Sequence, residues 1–365
     1  METFLSRAGL AGLLSAALFA GGPGALRAQS SWESLGPVGE VGNAGVGGRV
    51  ISLAVDPRDP NHVFAGSASG GLWVSELFNP GNPGRGSAAA AGTGPADPRA
   101  ANWRDPGRPY WRWRYVDTGH PVLGVGAIAI HPRDPDVIYI GTGEVYGYRR
   151  TARGFDYQPT RGNYGIGILR SIDGGKTWTE SLRWQPKDQT GVQDLAIVPA
   201  KEGEGFTVWA ATSEGVYRLD TSKSTQESNP SWKLSLPVVA ATSLSVHPGK
   251  PDEVVAACGN FASPGHGLYK TRDGGATWDR LVRGLPVSFQ GKGVLSRSPS
   301  SPNILYVSLG NSTQLIFAND SIPPGATATG GADGNTYPEN TRFKCRYTAT
   351  PMNGPSTWLL RSFDG

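Results

Sequence analysis

Short apolar runs alternate with turn residues along most of the chain. Past the amino-terminal stretch no segment shows the three-and-four spacing of an amphipathic helix. Five runs, over residues 50–57, 126–132, 192–199, 242–248 and 294–299, close on a proline at Pro57, Pro132, Pro199, Pro248 and Pro299. A second apolar run follows each one, over 62–66, 137–141, 208–211, 253–257 and 304–308. A third follows in four of the five, over 71–74, 167–170, 215–218 and 267–270. Alternating runs of this length, broken by Gly, Pro and Asp, predict antiparallel strands joined by tight turns.

The end of the third run carries a repeated octapeptide. Ser171-Ile172-Asp173-Gly174-Gly175-Lys176-Thr177-Trp178 recurs as Thr271-Arg272-Asp273-Gly274-Gly275-Ala276-Thr277-Trp278, and Arg361-Ser362-Phe363-Asp364-Gly365 reads as the opening of another copy. The Asp accepts bonds from backbone N–H groups of the turn, the Gly pair supplies positive φ, and Thr and Trp lead into a fourth strand. Each unit therefore predicts four antiparallel strands, and the repetition predicts an all-β propeller whose blades start near 50, 126, 192, 242 and 294. Residues 32–37, Trp-Glu-Ser-Leu-Gly-Pro, look like a fourth strand that no first three precede. The expectation is thus about five blades of a ring whose remaining strands lie beyond residue 365, with the propeller occupying residues 29–365. The octapeptide is absent from the first and third units. Gly, Ala and Pro fill residues 79–101 in the first, and Asp220-Thr221-Ser222-Lys223 stands in the third.

The octapeptide resembles the Asp-box, and the chain resembles the Asp-box β-propellers, the bacterial neuraminidase repeat and sortilin-like proteins of secreted bacterial type. The resemblance implies an architecture and leaves activity open, because such boxes occur in sialidases, xyloglucan-cleaving glycosidases, sorting receptors and proteins without chemistry. A sialidase is expected to carry an Arg-Ile-Pro near its amino terminus, and none occurs here; Arg49 is the nearest candidate. The first unit resembles the xyloglucan-cleaving propellers over residues 66–71, but Ala68 stands where that resemblance places a catalytic Asp. An inverting glycosidase without its base cannot activate water.

Composition narrows the setting. The 52 glycines, 29 prolines and 11 tryptophans suit many short strands. One basic residue, an apolar run over 8–20 and Ala28 at a cleavage position read as a secretory signal peptide over residues 1–28. The chain is then secreted, periplasmic or at the cell surface, with no membrane-spanning segment after that signal. Cys258 and Cys345, in different units, are either bridged or free thiols. A net charge of +4, scattered over 365 residues, points away from nucleic acid.

Strand alternation sends the first-to-second and third-to-fourth turns to one end of the blades, and the second-to-third and fourth-to-first loops to the other. At the latter end the second unit carries an insertion over 143–163, rich in rings and guanidinium groups. Glu144, Tyr146, Tyr148, Arg149, Arg150 and Tyr157, with Glu214 from the next unit, are the candidate ligand-binding residues. Aromatic faces stack on sugars or peptides, and guanidinium groups hold carboxylates in a fork. The bland alternative is a loop that packs over its neighbours. Ser171, Asp173, Gly174, Gly175, Thr177, Trp178, Asp273, Gly274, Gly275, Thr277, Trp278 and Asp364 are read as structural. His131 and His247 share the repeat position of Asp56, which favours a turn role over metal binding, and no metal or cofactor site is expected. The leading expectation is a scaffold for a glycan or an extracellular or cell-surface protein. The alternative is a sialidase-like or xyloglucanase-like glycoside hydrolase with carboxylates partly in further blades.

Overall fold

The computed structural model describes residues 49–78, 110–122, 124–150, 156–158, 160, 162–185, 188–225, 230–260, 263–285, 292–310 and 357–362. The proposed signal peptide, residues 32–37, Cys345 and Asp364 lie outside them. The described chain is all β: five successive antiparallel sheets in a propeller arrangement.

Blade 1 consists of β1 (Val50–Asp56), β2 (Asp59–Ser67), β3 (Leu72–Phe78) and β4 (Tyr110–Val116), paired in that order. Blade 2 holds β5 (Val125–Ile130) and β6 (Ile138–Thr142). It is interrupted by a two-stranded ribbon of β7 (Arg149–Arg150) and β8 (Asp156–Tyr157), and completed by β9 (Gly167–Ser171) and β10 (Thr179–Arg183). Blade 3 is β11 (Val192–Pro199), β12 (Gly205–Thr212), β13 (Gly215–Ser222) and β14 (Lys233–Leu236). Blade 4 is β15 (Ala241–His247), β16 (Lys250–Cys258), β17 (Gly267–Thr271) and β18 (Asp279–Leu281). Blade 5 has three described strands, β19 (Gly293–Arg297), β20 (Leu305–Gly310) and β21 (Thr357–Ser362). The four strands of a blade are called A to D below.

Successive sheets pack face to face. The apolar clusters accordingly lie between blades: Phe64, Val74, Ile140 and Leu169 between the first two, and Tyr139, Ile168, Phe206 and Val208 between the second and third. Trp209, Leu244 and Val254 fill the joint between blades 3 and 4, and Val255, Leu268, Leu295 and Val307 that between blades 4 and 5. Alternation along strands produces this directly, since one parity of each strand faces the preceding blade and the other the following one.

Close approach of the A strands adds polar links. A register shift recurs near the start of β1, β5, β11 and β15, the bulge that turns backbone groups toward the next blade. Ser52 donates to the Val125 carbonyl at 2.9 Å and Thr242 to the Gly293 carbonyl at 2.7 Å. Asp194 accepts from the Leu244 N–H at 2.8 Å, from the Ser243 hydroxyl at 3.2 Å and from the Leu195 N–H at 2.9 Å. Burial pushes the Asp194 carboxyl above its ordinary pKa, against the pull of those donors. Between β5 and β11 the approach is tight enough that a Cβ on Gly126 would stand 2.2 Å from the Val192 carbonyl oxygen.

The same repeat position shapes the A–B turn in four blades. Asp56 accepts from the Arg58 N–H at 2.9 Å, His131 Nδ1 from the Asp134 N–H at 2.9 Å, His247 Nδ1 from the Gly249 N–H at 3.1 Å, and Ser298 from the Ser301 N–H at 3.2 Å. Both histidines thus serve their own turns. Cys258 is a buried free thiol, its pKa pushed up to about 12 by burial.

Candidate functional site

The blades have two chemically different ends. At one end the A–B and C–D turns meet: the Gly174 N–H donates to the Asp136 carbonyl, and the Gly274 N–H to the Asp252 carbonyl, each at 3.0 Å. At the other end the B–C loop donates to the D–A segment in every blade. These bonds run from Ala68 to Arg49, Gly143 to Gly124, Ser213 to Gly191, Gly259 to Ala240 and Gly310 to Lys292, at 2.8–2.9 Å.

The D-G-G turns occupy the first end. Asp173 Oδ1 accepts from the Lys176 and Thr177 N–H groups at 3.0 and 2.9 Å and from the Ser171 hydroxyl at 2.7 Å, while Oδ2 takes the Thr177 hydroxyl at 2.6 Å. Burial alone would raise the pKa of Asp173; the Thr177, Ser171 and Lys176 donors outweigh it and hold the carboxyl down to about 2. Asp273 repeats the pattern with Thr271 and Thr277, and the Thr277 hydroxyl is the chief cause of its lowered pKa. Gly174, Gly175, Gly274 and Gly275 all have φ between 67° and 89°. Asp173 is half-buried and Asp273 exposed; Trp178 is buried and Trp278 half-buried. The turn therefore satisfies its carboxylate without enclosing it.

These turns also join blades. The second glycine of each lies against a ring on strand B of the preceding blade: a Cβ on Gly175 would stand 3.2 Å from Phe64, and one on Gly275 2.7 Å from Trp209. Arg218, with its guanidinium 5.5 Å from the Trp209 ring, donates to the Gly274 carbonyl at 2.5 Å. Arg170, beside Tyr139, grips the Ser222 and Thr225 carbonyls of the third blade's turn at 2.7 and 2.8 Å, although that turn lacks the octapeptide.

The candidate ligand-binding residues gather at the other end, where the blade 2 insertion reaches across three neighbours. Glu144 is buried, and both its oxygens are taken by the guanidinium of Arg49, which leads into blade 1. Its backbone is fixed as well, the N–H by the Asn163 carbonyl at 2.9 Å and the carbonyl by the Thr160 hydroxyl at 2.7 Å. Gly162 presses on blade 1, since a Cβ there would meet the Ala68 carbonyl oxygen at 2.4 Å. Gln158 donates to Glu214 of blade 3 at 2.5 Å, and the Ser213 hydroxyl lies 3.4 Å from the same oxygen. Asn260 of blade 4 donates to the Tyr146 carbonyl at 2.6 Å. Tyr146 and Tyr148 are half-buried. Arg149, Arg150 and Tyr157 lie in the β7–β8 ribbon, with Arg149 opposite Tyr157, and their side chains fall outside the described residues.

Glu144 and Glu214 follow B strands in the sequence, and nothing local marks what holds them. The clamp from Arg49 spans 95 residues and the Gln158 contact 56, distances over which no local pattern carries a signal. Gln158, Asn260 and Thr160 escape notice for the same reason. At this end Thr190 Oγ1, Gln158 Oε1 and Gln193 Nε2 are buried and make no hydrogen bond to the described residues. No cluster of three or more His, Cys, Asp or Glu side chains able to hold a metal occurs among the described residues. Two shallow clefts, of about 160 and 210 Å³, lie at the opposite end between blades 3 and 4 and between blades 2 and 3. No helix among the described residues is long and apolar enough to cross a membrane.

No family model and no curated protein matches the chain. Among solved structures it is similar to the GH74 xyloglucanase from Xanthomonas campestris, at 16% identity and a TM-score of 0.44 over 73% of this chain and 34% of that one. It is also similar to an ancestral GH74 enzyme, at 16% identity and 0.45 over 79% and 30%, and to the GH74 enzyme of Niastella koreensis, at 15% and 0.41 over 80% and 37%. The chain spans about a third of the length of these structures. The described residues form five antiparallel blades in a propeller arrangement.

Proposed function

We propose that this chain is an exported Asp-box propeller that works as a binding scaffold and takes a glycan at the B–C/D–A end of blades 1–4. The observation that carries the reading is the state of the two carboxylates at that end. Glycoside hydrolysis by the usual pair needs one carboxyl free to give a proton to the leaving oxygen and another free to activate water or attack. Glu144 has both oxygens in one guanidinium fork, and Glu214 is held by Gln158. Side chains engaged in this way build and stiffen a surface. The half-buried Tyr146 and Tyr148, beside the Arg149–Arg150 strand, supply ring faces and guanidinium groups of the kind that hold sugars and their carboxylates.

The test is a glycan array probed with the parent chain and with a variant in which Tyr146, Tyr148, Arg149 and Arg150 are replaced by Ala. The expected outcome is loss of glycan signal in the variant with a melting temperature close to that of the parent. Parent-like binding by the variant overturns the site, and signal on a surface-protein array alone overturns the ligand class. Turnover of aryl glycosides or xyloglucan that disappears in Glu144→Gln or Glu214→Gln would replace the scaffold reading by a hydrolase.

A further inference from the structure

The A–B turn of blade 2 runs His131-Pro132-Arg133-Asp134, and each of its three polar side chains reaches blade 3. The Arg133 guanidinium donates to the Ala200 carbonyl at 2.9 Å, and the Asp134 carboxylate pairs with Lys223 at 2.9 Å. The imidazole of His131, 7% exposed, stands edge-on to the Phe206 ring with centroids 5.0 Å apart. The same imidazole holds the other two residues in place, because its Nδ1 accepts from the Arg133 N–H at 3.3 Å and from the Asp134 N–H at 2.9 Å. An atom that accepts from backbone donors carries no hydrogen, so the single ring proton of the neutral form sits on Nε2. The equivalent turns of blades 1 and 5 meet the same demand with Asp56 and Ser298, whose oxygens remain acceptors throughout the neutral range. His131 differs from them in one respect: within about pH 5–8 an imidazole can take up a proton, and here it lands on the accepting atom itself.

We propose that His131 makes the joint between blades 2 and 3 acid-labile, its protonation releasing the A–B turn of blade 2 from blade 3. A proton on Nδ1 replaces the acceptor by a donor aimed at two backbone N–H groups, and both bonds are lost. What is released is a set, because those N–H groups belong to the residues that clamp Ala200 and Lys223. The new charge also meets like charge. Arg133 of the same turn and Lys223 of the blade 3 C–D turn both act on the ring; Asp134 is the anion beside it, already engaged by Lys223, which lies 3.7 Å from Asp136 as well. Glu204 of the blade 3 A–B turn lines the same cleft of about 210 Å³. Burial, the largest influence, holds the pKa of His131 below its ordinary value; Arg133 and Lys223 act in the same direction and Asp134 against them. With the folded pKa lowered, the contribution of the ring is complete above the ordinary 6.5 and is lost as pH falls from there through the folded value.

Urea denaturation of the full chain and of His131→Asn, in steps from about pH 8 to about pH 5, tests this. Asn keeps a neutral acceptor in the turn and cannot take up the proton, and every other titrating group, His247 included, is common to both chains. The parent is expected to lose ground to the variant as pH falls below about 6.5, by up to about tenfold in folding equilibrium constant per pH unit, the limit for one proton. Hydrogen exchange at the two ends of the range, corrected for intrinsic rates, locates the loss. Residues 131–137 and 199–206 of the parent should lose protection at the acid end while blade 4 keeps its own, and His131→Asn should keep both. A gap between parent and variant that stays constant with pH overturns the proposal, as does a loss of protection spread evenly over the blades. His131→Asp, which places the residue of the blade 1 turn in blade 2, repeats the comparison if the Asn variant fails to fold.

Discussion

Asp173 shows what a small polar side chain contributes when both its oxygens are engaged. Its four short hydrogen bonds tie together both limbs of the turn that starts β10. Replacing it by Ala leaves the Lys176 and Thr177 N–H groups without their acceptor, so Asp173→Ala is expected to cost about 1–2 kcal/mol at neutral pH, read by urea denaturation. The pH dependence has a definite sign. The folded pKa of about 2 lies below the ordinary 3.8, so the contribution is complete above that ordinary value and is lost as pH falls through about 2. The stability gap between parent and variant should therefore shrink on acidification across this window; a constant gap would assign the loss to backbone freedom. The role of the Asp was legible in the octapeptide because the chemistry is local. The exposure of Asp273 and the half-exposure of Trp278 were not, because a turn can saturate its acceptor at the rim of a sheet and needs no enclosure.

Two elements at a time, the joints explain why the glycine pair stands where it does. Gly275 has φ +89°, and a Cβ there would stand 2.3 Å from the Ser235 hydroxyl and 2.7 Å from the Trp209 ring. Gly275→Ala is expected to lower stability by about 2–4 kcal/mol, combining the left-handed backbone with overpacking, and Trp209→Ala by about 3–5 kcal/mol through the cavity under the same turn. Thermal denaturation of the single and double variants checks this, and the double variant should lose less than the two singles together, because the cavity admits the new methyl group. The sequence shows Gly-Gly in two turns, but Trp209 sits in a unit without the octapeptide, and nothing local marks it as the floor of the next blade's turn. The β7–β8 ribbon was equally hidden, since strands of two residues have no periodicity to read.

Across the whole molecule, stability is a sum over blades and nearest-neighbour joints, so a polar group in one joint acts on two sheets at once. Asp194, half-buried between blades 3 and 4 with donors from β15, is such a group. Its raised folded pKa means that its contribution is largest below the ordinary carboxylate value and is lost as pH rises through the folded one. Asp194→Asn is thus expected to gain on the parent as pH rises from 4 toward 8 in chemical denaturation, and Asp194→Ala, which strands the Leu244 N–H, to move with pH in parallel while lying about 1–3 kcal/mol below the Asn variant. A gap between Asn variant and parent that does not move with pH would refute the buried charge. Architecture at this scale was the most legible part of the chain, because strand period, turn prolines and the octapeptide repeat independently. The candidate site was legible only as a rich insertion, because the partners that fix it come from three other blades.

Those partners impose an order of events. Tyr146 is held by Asn260, 114 residues further along, and Glu214 meets Gln158 only once blade 3 exists. A ribosome extends the chain at roughly 5–20 residues per second, so several seconds separate the synthesis of the insertion from that of its last anchor. Blades 1 to 3 can pair locally in that interval, while the ring-bearing segment waits for blade 4. The blade 2 insertion is thus the last part of these four blades to be finished, and any lesion that slows blade 4 is felt first there and only later by the rest of the fold.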